Sequence, residues 1–212
     1  MKGYRIFAAV FLALGLTLGA FTLWLSLEAP KADPVILELD PAAGETADDF
    51  LREISQGELD LAGEKLLGTP NLSGPVENQT DPAWLLWNYY YSNMTCTPQG
   101  EPYAGRGLQQ DAVVSAPDLN ALTERIGGLA PGILQQRIES AEDVSEIYDE
   151  TNSYRQELTD WVLLEATRQA IAEPVVKKEQ KLSLQLVYDG GQWKVRPDQA
   201  LLELLSGGLE KG

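Results

Sequence analysis

The pattern of apolar residues opens with one long stretch near the N-terminus. Residues 6–27 contain no charged side chain, and as a helix they would extend about 33 Å at 1.5 Å per residue. That length exceeds the roughly 30 Å hydrocarbon core of a bilayer, so the pattern predicts a transmembrane helix. Lys2 and Arg5 precede it. The positive-inside rule therefore predicts a single-pass cell-membrane protein, with residues 1–5 in the cytoplasm and the rest extracytoplasmic.

A cleaved signal peptide is the alternative interpretation of this stretch. Its apolar core would be about 7–15 residues long and would end at small residues suited to cleavage. The stretch here is longer, and residues 22–28 contain no Ala-x-Ala pattern. The sequence favours an uncleaved signal-anchor over 6–27, followed by a spacer over 28–44 and an exported domain over 45–212.

Helical spacing and capping residues predict five main helices in the exported domain, beginning at Thr46, Asp81, Pro117, Val144 and Pro197. The first begins with a capping box, Thr46-x-x-Asp49. The third contains Pro131, which predicts a kink or a break. The fourth is the longest and extends to Glu173.

Two β-hairpins are predicted between these helices. Strands over 91–97 and 106–116 form the first, and alternation from Leu182 to Tyr188 opens the second. A Gly190-Gly191 loop would pair Tyr188 with Trp193, whereas an Asp189-Gly190 loop shifts the pairing but keeps both residues on one face. We expect this face to pack on the longest helix, with Trp161 facing inward, and Lys194 to lie on the opposite, outward face of the hairpin. Antiparallel strands covered by helices on one side make an α+β domain.

Composition narrows the possible functions. The net charge is −16, there is no histidine, and Cys96 is the one cysteine. Such a negative charge opposes nucleic-acid binding, which requires clustered basic residues. Without histidine there is no His-based catalytic triad or His-ligated zinc site, and one cysteine forms no intrachain disulfide. The sequence predicts no catalytic residue, no cofactor site and no metal site.

Three segments carry a resemblance to a known family: residues 139–150 (ESAEDVSEIYDE), 184–195 (LQLVYDGGQWKV) and 197–202 (PDQALL). They resemble small membrane-anchored proteins of Gram-positive bacteria whose exported part is nuclear transport factor 2-like (cystatin-like). The resemblance implies a curved antiparallel sheet wrapped around helices. It also implies a cone-shaped cavity, which some members use for catalysis and others only for binding.

Aromatic residues are the candidates for lining such a cavity. The residues that could do so are Trp84, Trp87, Tyr91, Tyr188 and Trp193. Aromatic side chains at this spacing more often fill a core where helices meet a sheet, and the sequence favours that interpretation.

The expected function is a membrane-tethered, non-catalytic domain that binds an envelope protein or a small ligand. One alternative is an isomerase or dehydratase that pairs an aspartate base with a tyrosine donor, as ketosteroid isomerases do. Asp111, Asp149 and Asp189 all fit that description, so the sequence selects none of them. A purely structural tether in a membrane complex is the other alternative.

Overall fold

The computed structural model describes residues 40–68, 72, 74–104 and 107–207. Its elements, in chain order, are α1 (Pro41–Gln56), α2 (Leu59–Glu64), α3 (Pro82–Ser92), β1 (Thr95–Ala104), β2 (Leu108–Pro117), α4 (Leu119–Ser140), α5 (Gln156–Ala172), β3 (Lys177–Asp189), β4 (Gln192–Arg196) and α6 (Gln199–Leu205). No helix within these ranges is both long and apolar enough to cross a membrane. The predicted span, residues 6–27, lies outside the described residues.

The four strands form one antiparallel sheet in the order β1-β2-β3-β4. Side chains alternate between the two faces of a strand, and every second residue of β2 is buried. The facing buried pairs of β2 and β3 are Leu108–Leu186, Gln110–Leu184 and Ala112–Leu182. Helices pack against the sheet around a shared core, so the predicted α+β class is confirmed.

The β3–β4 hairpin turns through Gly190 and Gly191. Their φ angles are +58° and +88°, which glycine adopts without a steric penalty and which a two-residue hairpin loop with both central residues at positive φ requires. Tyr188 therefore pairs with Trp193, as the Gly190-Gly191 register predicts.

Helix α1 begins earlier than the sequence indicated. Asp40 is its N-cap and accepts a hydrogen bond from the backbone N–H of Ala42 at 3.0 Å. The predicted capping box is wrong, because the Thr46 hydroxyl donates to the carbonyl oxygen of Ala42 inside the helix. Residues 41–44 of the predicted spacer are thus helical, and Ala43 is fully buried.

Helix α4 continues through Pro131 without a break. Proline removes one backbone hydrogen bond, which would ordinarily interrupt a helix. Here Ile126, Ala130 and Ile133 are buried along one side of the helix. Their burial outweighs the lost hydrogen bond, so of the kink or break predicted at Pro131 the break is wrong.

The predicted helix over 144–173 is helical only from Gln156 onward, apart from a 3₁₀ turn at Val144–Glu146. In between, the Asp149 carboxylate accepts hydrogen bonds from the backbone N–H groups of Thr151 and Ser153. Such side-chain bonds compete with the helical ladder and favour a loop.

The helix predicted to be the longest, α5, has 17 residues against 22 in α4, and it does not provide the partner predicted for the second hairpin. Helix α5 packs on α3 and α4, and Trp161, predicted to face inward, is 43% exposed. Strand β4 packs against α1 instead. The outward-facing position predicted for Lys194 is also wrong, because this residue is buried and donates to the carbonyl oxygen of Glu64.

Arg125 links α4 to the end of α5. Its guanidinium donates to the carbonyl oxygens of Ala170, Glu173 and Pro174, each at 3.1 Å. The last carbonyls of a helix have no partner within the helix, so this forked donor supplies what α5 lacks.

We expect Arg125→Ala to lower the free energy of unfolding by about 1–3 kcal/mol, because it leaves those carbonyls without charged donors. Arg137→Ala is the matched control, since its one ion pair, with Glu146, is exposed and should contribute under about 1 kcal/mol. Urea denaturation of residues 31–212 measures both. Equal losses would contradict the capping role.

Candidate functional site

The five aromatic residues proposed as a cavity lining fall into two groups. Trp84, Trp87 and Tyr91 lie on α3, where the Trp87 and Tyr91 ring centroids are 4.7 Å apart. Tyr188 and Trp193 face each other across β3 and β4, with centroids 5.5 Å apart. The structure therefore separates the five residues into one group on α3 and one on the β3–β4 hairpin.

The two groups lie near opposite ends of α1. Trp193 bonds to Asp40 at the N-terminus of α1. Tyr91 lies beside Gly57 at the C-terminus of α1, where a Cβ added to Gly57 would be 3.5 Å from the Tyr91 Cβ. A helix of this length spans about 24 Å. A cavity lined by all five residues would have to bridge that distance.

Tyr91 and its neighbour Tyr90 act as buried ties between helices. The Tyr90 hydroxyl donates to the carbonyl oxygen of Leu204 at 2.9 Å, and the Tyr91 hydroxyl donates to that of Leu205 at 2.8 Å. Burial raises the pKa of both hydroxyls. Tyr91 is helical rather than part of a strand, which begins at Thr95.

The two tryptophan rings of α3 are less buried than Tyr90 and Tyr91. Trp84 and Trp87 are half-buried. Gly74 passes so close to the Trp87 ring that an added Cβ would overlap the indole. The chain preceding α3 therefore covers Trp87.

Trp193 is held by a carboxylate. Its indole N–H donates to Asp40 Oδ2 at 2.8 Å, while Asp40 Oδ1 caps α1. This indole bond, with a contribution from the Ala42 N–H, lowers the pKa of Asp40. One ionised side chain thus joins the start of α1 to β4.

A pocket of about 70 Å³ opens at the other end of the sheet. Its buried apolar lining consists of Tyr90, Val114, Ala116 and Leu204, and its polar lining includes Asp118, Asn120, Lys178, Gln180 and Glu203. These residues come from α3, β2, α4, β3 and α6, with Asp118 just before α4. No local sequence motif joins them, so sequence analysis missed the pocket.

Two charged residues of the pocket, Lys178 and Asp118, are already paired with each other. Lys178 Nζ lies 2.8 Å from Asp118 Oδ2, and Asp118 also caps α4 through the N–H groups of Asn120 and Ala121. The hydrogen bond from Lys178 is the main cause of the lowered pKa of Asp118. A carboxylate stabilised in this way is a weak base.

The pocket does contain an aspartate and a tyrosine, the pair that an isomerase would need. However, the Tyr90 hydroxyl already donates to Leu204, and Asp118 is stabilised as an anion. A ketosteroid-isomerase-type site needs a tyrosine hydroxyl that donates to the substrate. This pair provides no such donor.

The other aspartates considered for catalysis lie apart from this pocket. Asp111 accepts a hydrogen bond from Tyr103 at 3.0 Å, and Tyr103 is 40% exposed. Asp149 organises a loop, and Asp189 ends β3 beside the hairpin turn. Burial raises the pKa of the Cys96 thiol to about 12, so it stays protonated and unreactive at neutral pH. Among the described residues, no three acidic or thiol side chains are grouped so that they could hold a metal ion.

The Asp40–Trp193 bond predicts a specific response to acid. The lowered pKa means that ionised Asp40 stabilises the fold above its ordinary value of 3.8, and this stabilisation is lost as the pH falls through the lower folded pKa. Asp40→Asn keeps one acceptor oxygen for one of the two bonds, replaces the other oxygen with an amide NH2 that cannot accept, and removes the charge. We expect the stability difference between wild type and Asp40→Asn to be constant above about pH 5 and to shrink below about pH 4.

Urea denaturation of residues 31–212 at several pH values, followed by tryptophan fluorescence, measures this difference. Asp60→Asn, at an exposed aspartate without an indole donor, is the matched control. A difference for Asp40→Asn that stays constant down to about pH 3 would contradict the assignment.

Comparison of the chain with protein families, with curated proteins and with solved structures finds no match. Its function is inferred from its own residues, chiefly the pocket, the Asp40–Trp193 bond and the N-terminal apolar stretch.

Proposed function

We propose that this protein is a membrane-tethered extracytoplasmic domain that binds a protein partner at the cell envelope without catalysing a reaction. The pocket lined by Tyr90, Val114 and Leu204 is the observation that carries the proposal. The apolar stretch over 6–27, preceded by Lys2 and Arg5, supplies the tether and the orientation.

The size of the pocket favours a protein over a small ligand. Small-molecule sites usually enclose about 300–1,000 Å³, whereas this pocket measures about 70 Å³. A recess of that size can receive one side chain of a partner. The apolar lining would contact the aliphatic part, and the polar residues around it would bond to the partner's backbone.

Charge indicates the kind of partner. The chain carries −16 overall, so a partner with a basic surface would associate faster and more selectively than an acidic one. The same charge disfavours nucleic acid.

The proposal extends to the fold family. A nuclear transport factor 2-like domain is supported by the order of elements, with helices α1–α3 before a hairpin, α4 and α5 after it, and a second hairpin. An isomerase remains the second candidate, because Asp118 and Tyr90 line one pocket. The pairing of Asp118 with Lys178 and of Tyr90 with Leu204 counts against it.

The membrane orientation has a direct test. Protease added to wall-stripped intact cells should digest the domain and leave a membrane fragment of a few kilodaltons, because residues 1–5 are inside and the domain is outside. Immunoblotting with tags at both ends measures this. Protection of the whole domain would contradict the orientation, and a soluble mature form in the medium would show cleavage.

The pocket as a binding surface is tested by photo-crosslinking. A photoreactive phenylalanine analogue replaces Asn120, which lines the pocket, or Glu124, which is exposed on the same helix but is not among the lining residues. We expect irradiation of intact cells to give a discrete adduct of higher mass from position 120 and none from position 124. Equal adducts from both positions, or none from position 120, would contradict binding at the pocket.

A further inference from the structure

We propose that the bond between Asp40 and Trp193 holds the hairpin end of the domain toward the membrane and leaves the pocket at the opposite end facing the aqueous phase. This inference rests on the proposed tether. It concerns which surface meets the lipid and which meets a partner.

Asp40 is the point at which the chain from the predicted membrane span joins the described domain. Its two carboxylate oxygens bond to different elements, one to the Ala42 N–H of α1 and the other to the Trp193 indole of β4. Trp193 is only 8% exposed, so its ring is fixed by packing. The junction therefore lies at the hairpin end of the domain and is bonded to it.

The surroundings of the junction belong to the β3–β4 hairpin. Tyr188 packs edge-on against Trp193, and the chain turns at Gly190 and Gly191 two residues further on. Tyr188 is 39% exposed. The surface nearest the tether is thus a polar and aromatic loop end, which suits the headgroup region of a bilayer better than its hydrocarbon core.

The pocket lies at the far end of the same strand. It is lined by Lys178 and Gln180 near the start of β3, whereas Tyr188 lies near its end. Tyr188 lies eight positions beyond Gln180 along the strand, a distance of about 26 Å. The whole of β3 spans about 40 Å.

The length of the spacer limits how far the domain can rotate relative to the bilayer. Residues 28–39 could reach about 40 Å if fully extended, which is close to the length of β3. Bringing the pocket to the bilayer would therefore require nearly complete extension of the spacer along the sheet, at a large cost in conformational entropy. The orientation with the hairpin toward the membrane needs no such extension.

The test uses the full chain, with Cys96→Ala, reconstituted into phosphatidylcholine vesicles that carry an acceptor-labelled lipid. A membrane-impermeant donor dye is attached at Gln192→Cys, beside the hairpin turn, or at Lys177→Cys, at the far end of β3. Both positions are exposed and close to strand ends, so they form a matched pair. We expect a greater loss of donor fluorescence at position 192 than at position 177.

Three further variants test the bond itself. Trp193→Phe removes the indole N–H, and Asp40→Ala removes the acceptor. Each variant should therefore reduce the difference in donor-fluorescence loss between positions 192 and 177. Asp60→Asn, at an exposed aspartate outside this bond, is the control and should leave the difference unchanged. Equal energy transfer at both positions in the parent chain would overturn the orientation. An undiminished difference in both Trp193→Phe and Asp40→Ala would overturn the role of the bond.

These failures are distinct from failure of the proposed function. If alkaline carbonate strips the chain from the vesicles, the tether is wrong and the orientation is overturned with it. If the chain is retained but both dyes transfer equally, only the orientation is wrong.

Discussion

The arrangement depends on one constraint, the need to cover the inner face of the antiparallel sheet. Leu108, Leu184 and Leu186 are buried on neighbouring strands, and apolar surface of this kind is stable only when another layer removes it from water. Helices α1 and α3 supply that layer, and α4 and α5 form a pair that reaches the sheet through α3. The positions of the helices follow from this requirement more than from their own propensities.

Polar bonds fix where the covering helices lie. Tyr90 and Tyr91 bond to the end of α6, Arg125 bonds to the end of α5, and Asp40 bonds to Trp193. A donor or acceptor that is buried without a partner lowers the stability of the fold. Only a narrow range of helix positions therefore satisfies all of these groups. In the described part of the chain, two buried side-chain atoms lack a partner: Glu53 Oε2, in a carboxylate whose other oxygen binds Lys65, and Arg196 Nε.

The two features on which the proposals rest occupy opposite ends of the sheet. At one end the chain from the predicted anchor joins the domain at Asp40, and at the other end β2, β3, α3, α4 and α6 leave a small pocket. The Asp118 carboxylate and the Tyr90 phenol in that pocket are already bonded within the fold. A site whose reactive groups are committed in this way is suited to recognition more than to proton transfer.

The sequence by itself determined the elements whose signals are local. Alternation indicated β2 and β3, Gly190 and Gly191 placed a turn between Tyr188 and Trp193 but left its register open, and Asp81 with Pro82 marked the start of α3. Only the tertiary structure decided that α4 continues through Pro131, that α5 begins at Gln156, and that Trp193 bonds to Asp40. Burial along α4 and the bond between the distant residues Asp40 and Trp193 override local propensity, whereas α5 begins late because the Asp149 carboxylate bonds to the nearby Thr151 and Ser153. The pocket depends on the same long-range contacts, since its lining comes from five elements, and a local pattern contains no information about which of them will meet.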